Sequence, residues 1–350
     1  MRFSTNNNMS GVLCNLKKFL GRKSFIVLYS TKTEHVKERL IGKVVNVAII
    51  GAPNAGKSTL INRIVERKIC AASSKVHTTT KMARAFCFHE DTQIIFLDTP
   101  GVITAKEKKK YNLPEAMIGA CEKSLRCADV VGVIHDVSNR HTKDNLHKDV
   151  VAMLNAIESI PSFLILNKVK LIESKRELLI LIRNLTNGMI AGSPIPGAKK
   201  KGRERGYSHF SDVFLVSALN GDGISDIKKY LLSNAKEAAF QFSPDTWTDQ
   251  KRETLVVEAS RAKFLDFLSQ EIPYNLEIDL EYFEEESEKI LCSVTVRCPT
   301  ERLVKLITGA GGGRLQQMKF SLRNDLTELL QKPVALDIHL TVKNKPTHLD

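Results

Sequence analysis

The sequence predicts two consecutive units: an α/β domain with a doubly wound, mostly parallel sheet, and a smaller α+β unit behind it. Three observations carry this. From residue 44, apolar runs of four to seven residues alternate with helical segments, the pattern of strands in a sheet covered on both faces. The stretch GAPNAGKST at 51–59 follows the first run directly, where a strand gives way to a phosphate-cradling loop and a helix. After Ser243-Pro244 the alternation stops and a different rhythm begins, which marks a domain boundary.

In order, the first unit reads as strand VVNVAII (44–50), a helix from Lys57, strands ARAFCF (83–88) and QIIFLD (93–98), and a helix near 113–126. Strand DVVGVIHD (129–136), a helix near 144–157, strand SFLILN (162–167), a helix near 174–185, strand DVFLVS (212–217) and a helix near 224–237 complete it. The second reads as helix 250–269, strands 274–282 and 290–297, helix 300–307, the run GAGGG (309–313), helix 314–330 and strand 334–343. The expected boundaries are 42–240 for the α/β domain, 241–249 for a linker and 250–345 for the second unit. Residues 187–209 hold five glycines, two prolines and the cluster Lys199, Lys200, Lys201, Arg203 and Arg205. They read as a long flexible insertion, either a solvated loop or an arm that contacts phosphates.

Composition narrows the class. With 350 residues, 43% hydrophobic and 26% charged, the chain has material for a sizeable core. No apolar run nears the ~18 residues of a membrane span, the nearest being FIVL at 25–28. The formal charge of +13 is uneven. Arg2, Lys17, Lys18, Arg22, Lys23 and Lys32 precede the first acid, Glu34, and Leu13, Leu16 and Leu20 fall at helical spacing. A basic, acid-free, amphipathic start reads as an organellar transit peptide over 1–33. Seven cysteines show no CxxC spacing and read as reduced thiols, which argues against secretion.

The chemistry lies at the carboxyl ends of the strands, where α/β sheets bind ligands. In Gly51, Ala52, Pro53, Asn54, Ala55, Gly56, Lys57, Ser58 and Thr59, the glycines let the backbone wrap phosphates, Lys57 reaches the outer ones and Ser58 ligates Mg²⁺. Asp98, Thr99, Pro100 and Gly101 end the strand QIIFLD, a carboxylate toward the metal and an amide toward a γ-phosphate. The polar loop SSKVHTTTK at 73–81 lies between them. Asn167, Lys168, Val169 and Lys170 close a later strand, and Ser217, Ala218 and Leu219 close the last. In the second unit, Ile307, Gly309, Gly312 and Leu315 fit the I-x-G-x-x-G-x-x-[IL] core of a KH domain, a module whose glycine loop clamps single-stranded RNA.

The order and spacing of these motifs, followed by the terminal KH pattern, resemble the Era family of ribosome-assembly GTPases. The presequence makes the chain similar to the family's mitochondrial members. That resemblance implies an α/β P-loop GTPase domain followed by an α+β KH domain. It also implies GTP hydrolysis to GDP with Mg²⁺, binding of the 3′ region of small-subunit rRNA, and assembly of the small mitoribosomal subunit in the mitochondrial matrix. No stable oligomer is required. Thr78 or Thr79 would be the switch threonine on Mg²⁺ beside Ser58 and Asp98, and Lys57 and Gly101 would act on the γ-phosphate. Val102 stands where many GTPases have a water-orienting glutamine, so intrinsic turnover is expected to be slow. Asn54 matches an asparagine that holds an activating K⁺ in related GTPases. Arg302, Lys305, Ile307, Gly309, Ala310, Gly311, Gly312, Arg314, Leu315 and Lys319 would form the RNA surface. The lysines at 106 and 108–110 are a solvated run, or a contact with rRNA phosphates or with the inner membrane at its periphery.

Two departures bear on function. The pair Ala310-Gly311 lacks the base often found there, and residues 245–350 carry a net charge of −4, fourteen Lys and Arg against eighteen Asp and Glu. The basic residues Arg297, Arg302, Lys305, Arg314, Lys319 and Arg323 would then form a local RNA face, with the acidic hairpin of 271–288 pointing elsewhere. Lys170 stands where the family has an Asp that accepts two guanine N–H bonds, and lysine has no acceptor. Glu173 is one possible surrogate. The leading reading is a GTPase switch with less selective GTP binding. The rival is an rRNA-binding assembly chaperone whose nucleotide site is weak, non-selective or inactive.

Overall fold

The computed structural model describes residues 41–69, 83–98, 125–197, 206–269 and 272–343. The expected transit peptide, the threonine loop with Thr78 and Thr79, Thr99 to Gly101, Val102, the lysines at 106–110 and the basic cluster at 199–205 lie outside the described residues.

The first unit is built on a sheet of seven strands. β1 (Ile41–Ile50), β2 (Ala83–His89), β3 (Thr92–Asp98), β4 (Val130–Asp136), β5 (Ser162–Asn167) and β8 (Phe210–Val216) run in the order β2-β3-β1-β4-β5-β8. Pairing is parallel except where β2 returns along β3. Period-two alternation divides β1 between two cores. Val45, Val47 and Ile49 pack with α1 (Lys57–Val65) and α4 (Ile224–Ser233) on one face, through Leu60, Ile61, Ile64, Ile227 and Leu231. Val44, Ala48 and Ile50 pack with α2 (Lys148–Asn155) and α3 (Lys175–Leu185) on the other, through Val150, Leu154, Leu181 and Leu185. Both faces of the central strands are therefore dry, which explains their unbroken apolar sequence.

The helix expected over 224–237 stops at Ser233, and Lys236–Ala239 forms strand β9 antiparallel to the start of β1. Lys-Glu-Ala-Ala favours helix locally, but β4 pairs only with residues 47–50 of β1, and the open edge recruits the segment. Tertiary pairing overrides propensity here.

The segment read as a flexible insertion has ordered ends. Met189–Ile190 (β6) and Ser193–Pro194 (β7) form a small hairpin, the Asn187 amide exchanges two hydrogen bonds with the backbone of Gly206, and Tyr207 is buried against Phe210.

The second unit follows from α5 (Arg252–Phe267). Strands β10 (Glu277–Glu285), β11 (Ile290–Cys298) and β12 (Val334–Val342) form a separate sheet, β10 antiparallel and β12 parallel to β11. The crossover between β11 and β12 carries α6 (Glu301–Thr308), the glycine loop and α7 (Gly313–Leu330). Ile290, Cys292, Val294, Val296 and Cys298 alternate inward onto Leu322, Leu326 and Leu330 of α7. Cys87, Cys127, Cys292 and Cys298 form no disulfide, and burial pushes the Cys87 and Cys292 thiols up to about 11. Among the described residues, no helix is long and apolar enough to cross a membrane.

Phe163 is fully buried in the sheet and touches Phe214 and Tyr230. Phe163→Ala is expected to cost about 3–5 kcal/mol, read as a lower urea midpoint of the first unit.

Candidate nucleotide-binding site

The loop after β1 is shaped by what surrounds it. At Gly56, with φ 102°, an added Cβ would lie 2.3 Å from Asn167 Nδ2, so no side chain fits there. Asn54 also takes a left-handed conformation, φ 61°. Gly56 precedes α1, whose first turn carries no acidic residue, leaving its amide dipole available to an anion. Lys57 is 8% exposed, and its ammonium lies 3.3 Å and 3.1 Å from the carbonyl oxygens of Gly51 and Ala52. A buried cation folded over a glycine-rich loop at a helix start suits a polyphosphate.

Asn167 ends β5 and is almost fully buried. Its Nδ2 donates to the Ala55 carbonyl at 2.8 Å, and its Oδ1 accepts from the Ala218 amide at 3.0 Å. The phosphate loop, the NKVK turn and the Ser217-Ala218-Leu219 turn are thus joined by one side chain. Arg63 of α1 adds a second tie, donating to the carbonyls of Ala218 and Leu219. Lys168, left-handed at φ 66°, reaches back to Asp136 Oδ2 at 2.6 Å. Burial alone would raise the Asp136 carboxyl, but hydrogen bonds from Lys168 and Ser138 outweigh it and hold it below the ordinary aspartate value. Asp98 ends β3 in register with Ile49, two residues before Gly51, which sets the end of β3 beside the end of β1.

Lys170 lies on a single 3-10 turn (Val169–Leu171), and its ammonium meets Asp222 Oδ2 at 2.8 Å. Sequence reasoning offered Glu173 as the acid near Lys170 and missed Asp222. The signal was present in SALNGDG, an acid three residues after the last base-site motif. Val169 is half-buried against the core that holds Leu166, and Lys170 is exposed.

In the second unit the loop Gly309–Gly312 joins α6 to α7 with Gly309, Gly311 and Gly312 at φ 73°, 58° and 77°. Ile307 is fully buried and Leu315 half-buried, so both anchor the loop, while Ala310 and Gly311 are exposed at its tip. Arg302, Lys305 and Arg314 are exposed around it. The basic face is smaller than expected. Lys319 pairs with Asp337 at 2.7 Å, and Arg297 pairs with Asp279 at 2.6 Å, so part of the acidic hairpin is spent on its own neighbours.

The residues flanking the threonine loop reach out of the first unit. Before it, Lys68 pairs with Asp325 of α7 at 2.6 Å, and Lys263 of α5 also bonds Asp325. After it, Arg84 pairs with Asp249 at 2.7 Å, and the Phe86 amide donates to the Trp247 carbonyl at 3.0 Å. The Arg67 guanidinium lies 4.3 Å from the centre of the Trp247 ring.

These features together define a P-loop GTPase domain joined to an α+β unit. Comparisons place it further. Residues 46–168 match the family described as 50S ribosome-binding GTPase. The chain is 32% identical to the mitochondrial GTPase Era of Danio rerio over 86% of its length and 76% of that protein. It is 30% identical to GTPase Era of Afipia carboxidovorans, over 85% of its length and 88% of that protein. The chain belongs to the Era GTPase family. The fold also matches a crystal structure of Era in complex with MgGDPNP and nucleotides 1506–1542 of 16S ribosomal RNA, with TM-score 0.72 and 24% identity over 87% of this chain and 95% of that one.

The Asp136 carboxyl supports a prediction with a definite sign. A carboxyl held low when folded contributes stability that is complete above its ordinary value of about 3.9 and is lost as pH falls through the lowered value. Asp136→Asn is expected to lower urea stability by about 1–3 kcal/mol at pH 7, a difference that shrinks as pH falls through the lowered value.

Proposed function

We propose that this protein hydrolyses GTP and uses the cycle to govern how its second unit, a KH domain, holds small-subunit rRNA during assembly of the small mitochondrial ribosomal subunit. The observation that carries the reading is the single cluster in which Asn167 joins the phosphate loop to the two base-site turns. The relatives' names support the mitochondrion, and the matrix is part of the same proposal. The 16S rRNA segment in the Era complex supports small-subunit rRNA as the ligand.

In this reading the α1 amino terminus and Lys57 hold the phosphates. Mg²⁺, a hard cation that takes oxygen donors, suits Ser58, Asp98 and Thr78 or Thr79, and when bound it neutralises charge between the outer phosphates. The backbone of Gly101 reads the γ-phosphate. Asn54 holds K⁺, and equal turnover in K⁺ and Na⁺ would remove that assignment. On the RNA side the Gly309–Gly312 loop offers its backbone, flanked by Arg302, Lys305 and Arg314. Peripheral contact with the inner membrane rests only on the lysines at 106–110.

The junction supplies the coupling. The threonine loop is flanked by residues paired to the second unit or to the segment leading into it, Lys68 before it and Arg84 after it. A loop that tightens on a γ-phosphate pulls on both. The rival reading, an RNA chaperone with an idle nucleotide site, draws its support from Lys170, yet that cation is paired with Asp222 and does not stand alone in the base site.

Lys57→Ala is expected to lower GTP hydrolysis at least a hundredfold, measured as phosphate release with and without an rRNA 3′ fragment, whereas wild-type turnover at background in both conditions would favour the chaperone. Gly312→Asp should weaken binding of that fragment at least tenfold while leaving GTP affinity within twofold. Trp247 is the single tryptophan, so its emission should differ between GDP and a non-hydrolysable GTP analogue, and Asp325→Ala should reduce that difference.

A further inference from the structure

Lysine stands at position 170 of the base site, where the resemblance leads one to expect a carboxylate, and the carboxylate facing it is that of Asp222. We infer that Asp222, held in place by Lys170, is the residue that selects guanine in this chain. The inference rests on the nucleotide-site reading above and deepens it.

Asp222 is fixed in the turn after β8. Its carbonyl accepts from the Ser217 amide at 3.1 Å, and the Gly221 amide donates to the Ser217 carbonyl at 2.8 Å. Gly221 and Gly223 on either side take φ values of 91° and 75°. At Gly223 an added Cβ would fall 2.2 Å from the Leu215 carbonyl oxygen, so the turn is locked against the strand end. The backbone at 222 is therefore as well determined as the Ala218 amide four residues earlier, which Asn167 holds.

The 167–172 and 217–223 loops are thus tied twice: at the buried end by Asn167 to Ala218, and at the open end by Lys170 to Asp222. The second tie is half-exposed, with side-chain exposures of 55% and 51%. On the same two loops Leu171 and Leu219 are 68% and 75% exposed, apolar surface that a flat ring would cover. A purine entering between the loops meets a carboxylate on the far wall.

The chemistry separates the two residues. Guanine presents its N1–H and its 2-amino group side by side, both donors. Lys170 has three donors and nothing to accept with. A carboxylate has two oxygens and about four acceptor positions, of which Lys170 occupies one on Oδ2. Oδ1 and the remaining lone pair of Oδ2 are left to accept from the two guanine N–H groups as a bidentate acceptor. The ammonium, 2.8 Å from Oδ2, orients the carboxylate. Lys170 is then a positioning residue and Asp222 the one that touches the base.

The test is nucleotide affinity of the full chain, by competition among GDP, XDP and IDP. Xanthine carries a carbonyl where guanine has the 2-amino group, and hypoxanthine carries only hydrogen there. The native chain is expected to bind GDP at least tenfold tighter than XDP, with IDP between. Asp222→Asn should weaken GDP at least tenfold and bring XDP level with or above it, because the amide can donate to the xanthine carbonyl. Adding Lys170→Asp to Asp222→Asn should restore the preference for GDP, which shows that the loss lay at the base and not in the fold. Lys170→Met alone should keep GDP ahead of XDP at a reduced ratio.

A GDP to XDP ratio unchanged within twofold in Asp222→Asn would overturn the inference while leaving the nucleotide site intact. Failure of the native chain to bind any of the three, or binding indifferent to Lys57→Ala, would overturn the nucleotide-site reading and this inference with it.

Discussion

Asn167 stands where β5 runs out of the sheet, with its amide nitrogen on the Ala55 carbonyl and its amide oxygen on the Ala218 amide. An amide buried that deeply must have both ends satisfied, since an unpaired one costs about 1–3 kcal/mol. Each loop therefore supplies what the other two need for a satisfied arrangement. The missing Cβ at Gly56 makes room for Nδ2, and the parallel registers of β1, β4, β5 and β8 bring the strand ends level. The loop after β1 and the turns after β5 and β8 then share one support, and in the proposed nucleotide site that support would set the phosphate and base contacts relative to each other.

The same economy of connection appears at the junction. Lys68, Arg67 and Arg84 lie just outside the two ends of the threonine loop and bind Asp325, the Trp247 ring and Asp249. Asp325 receives two lysines, Lys68 from the first unit and Lys263 from the second. Burial alone would raise its carboxyl, but those two hydrogen bonds hold it below the ordinary value. Partly buried pairs of this kind lose more when one partner leaves than they contribute together. A rearrangement that withdraws Lys68 would leave Lys263 to hold Asp325 alone, which ties the stability of the interface to the geometry of the loop.

How much of this was legible depended on how local the information was. The phosphate loop, the ends of β3 and β5, and the helix-glycine-helix pattern are set by contiguous residues, and the near-continuous apolar run of β1 announced two packed faces. β9 was hidden because Lys-Glu-Ala-Ala has no strand character of its own and is recruited by an open edge of β1. The narrowing of the basic face was hidden for a related reason. Charge counted along the chain cannot tell that Lys319 meets Asp337 across α7 and β12, or that Arg297 meets Asp279 across two strands. Lys170 looked like a lost acceptor because its partner lies 52 positions away in sequence, brought near only by the parallel pairing of β5 and β8.

That last case bears on how a recognition site tolerates change. A base-reading carboxylate is constrained by where its oxygens sit and by its ionisation, and not by which loop carries it. Aspartate at 170 would reach inward on a short side chain from the NKVK turn. Lysine at the same position is two bonds longer and of opposite charge, so its ammonium extends away from its own backbone and meets the opposite wall, where Asp222 already stands in a turn locked by Gly221 and Gly223. Substituting Asp by Lys in an isolated pocket leaves two guanine donors facing a cation. In a pocket whose opposite wall carries an acid, the same substitution neutralises part of that acid, orients it and leaves the rest of its acceptor capacity toward the ligand. The sign of the change is set by the second loop, and residue 170 cannot be interpreted without residue 222.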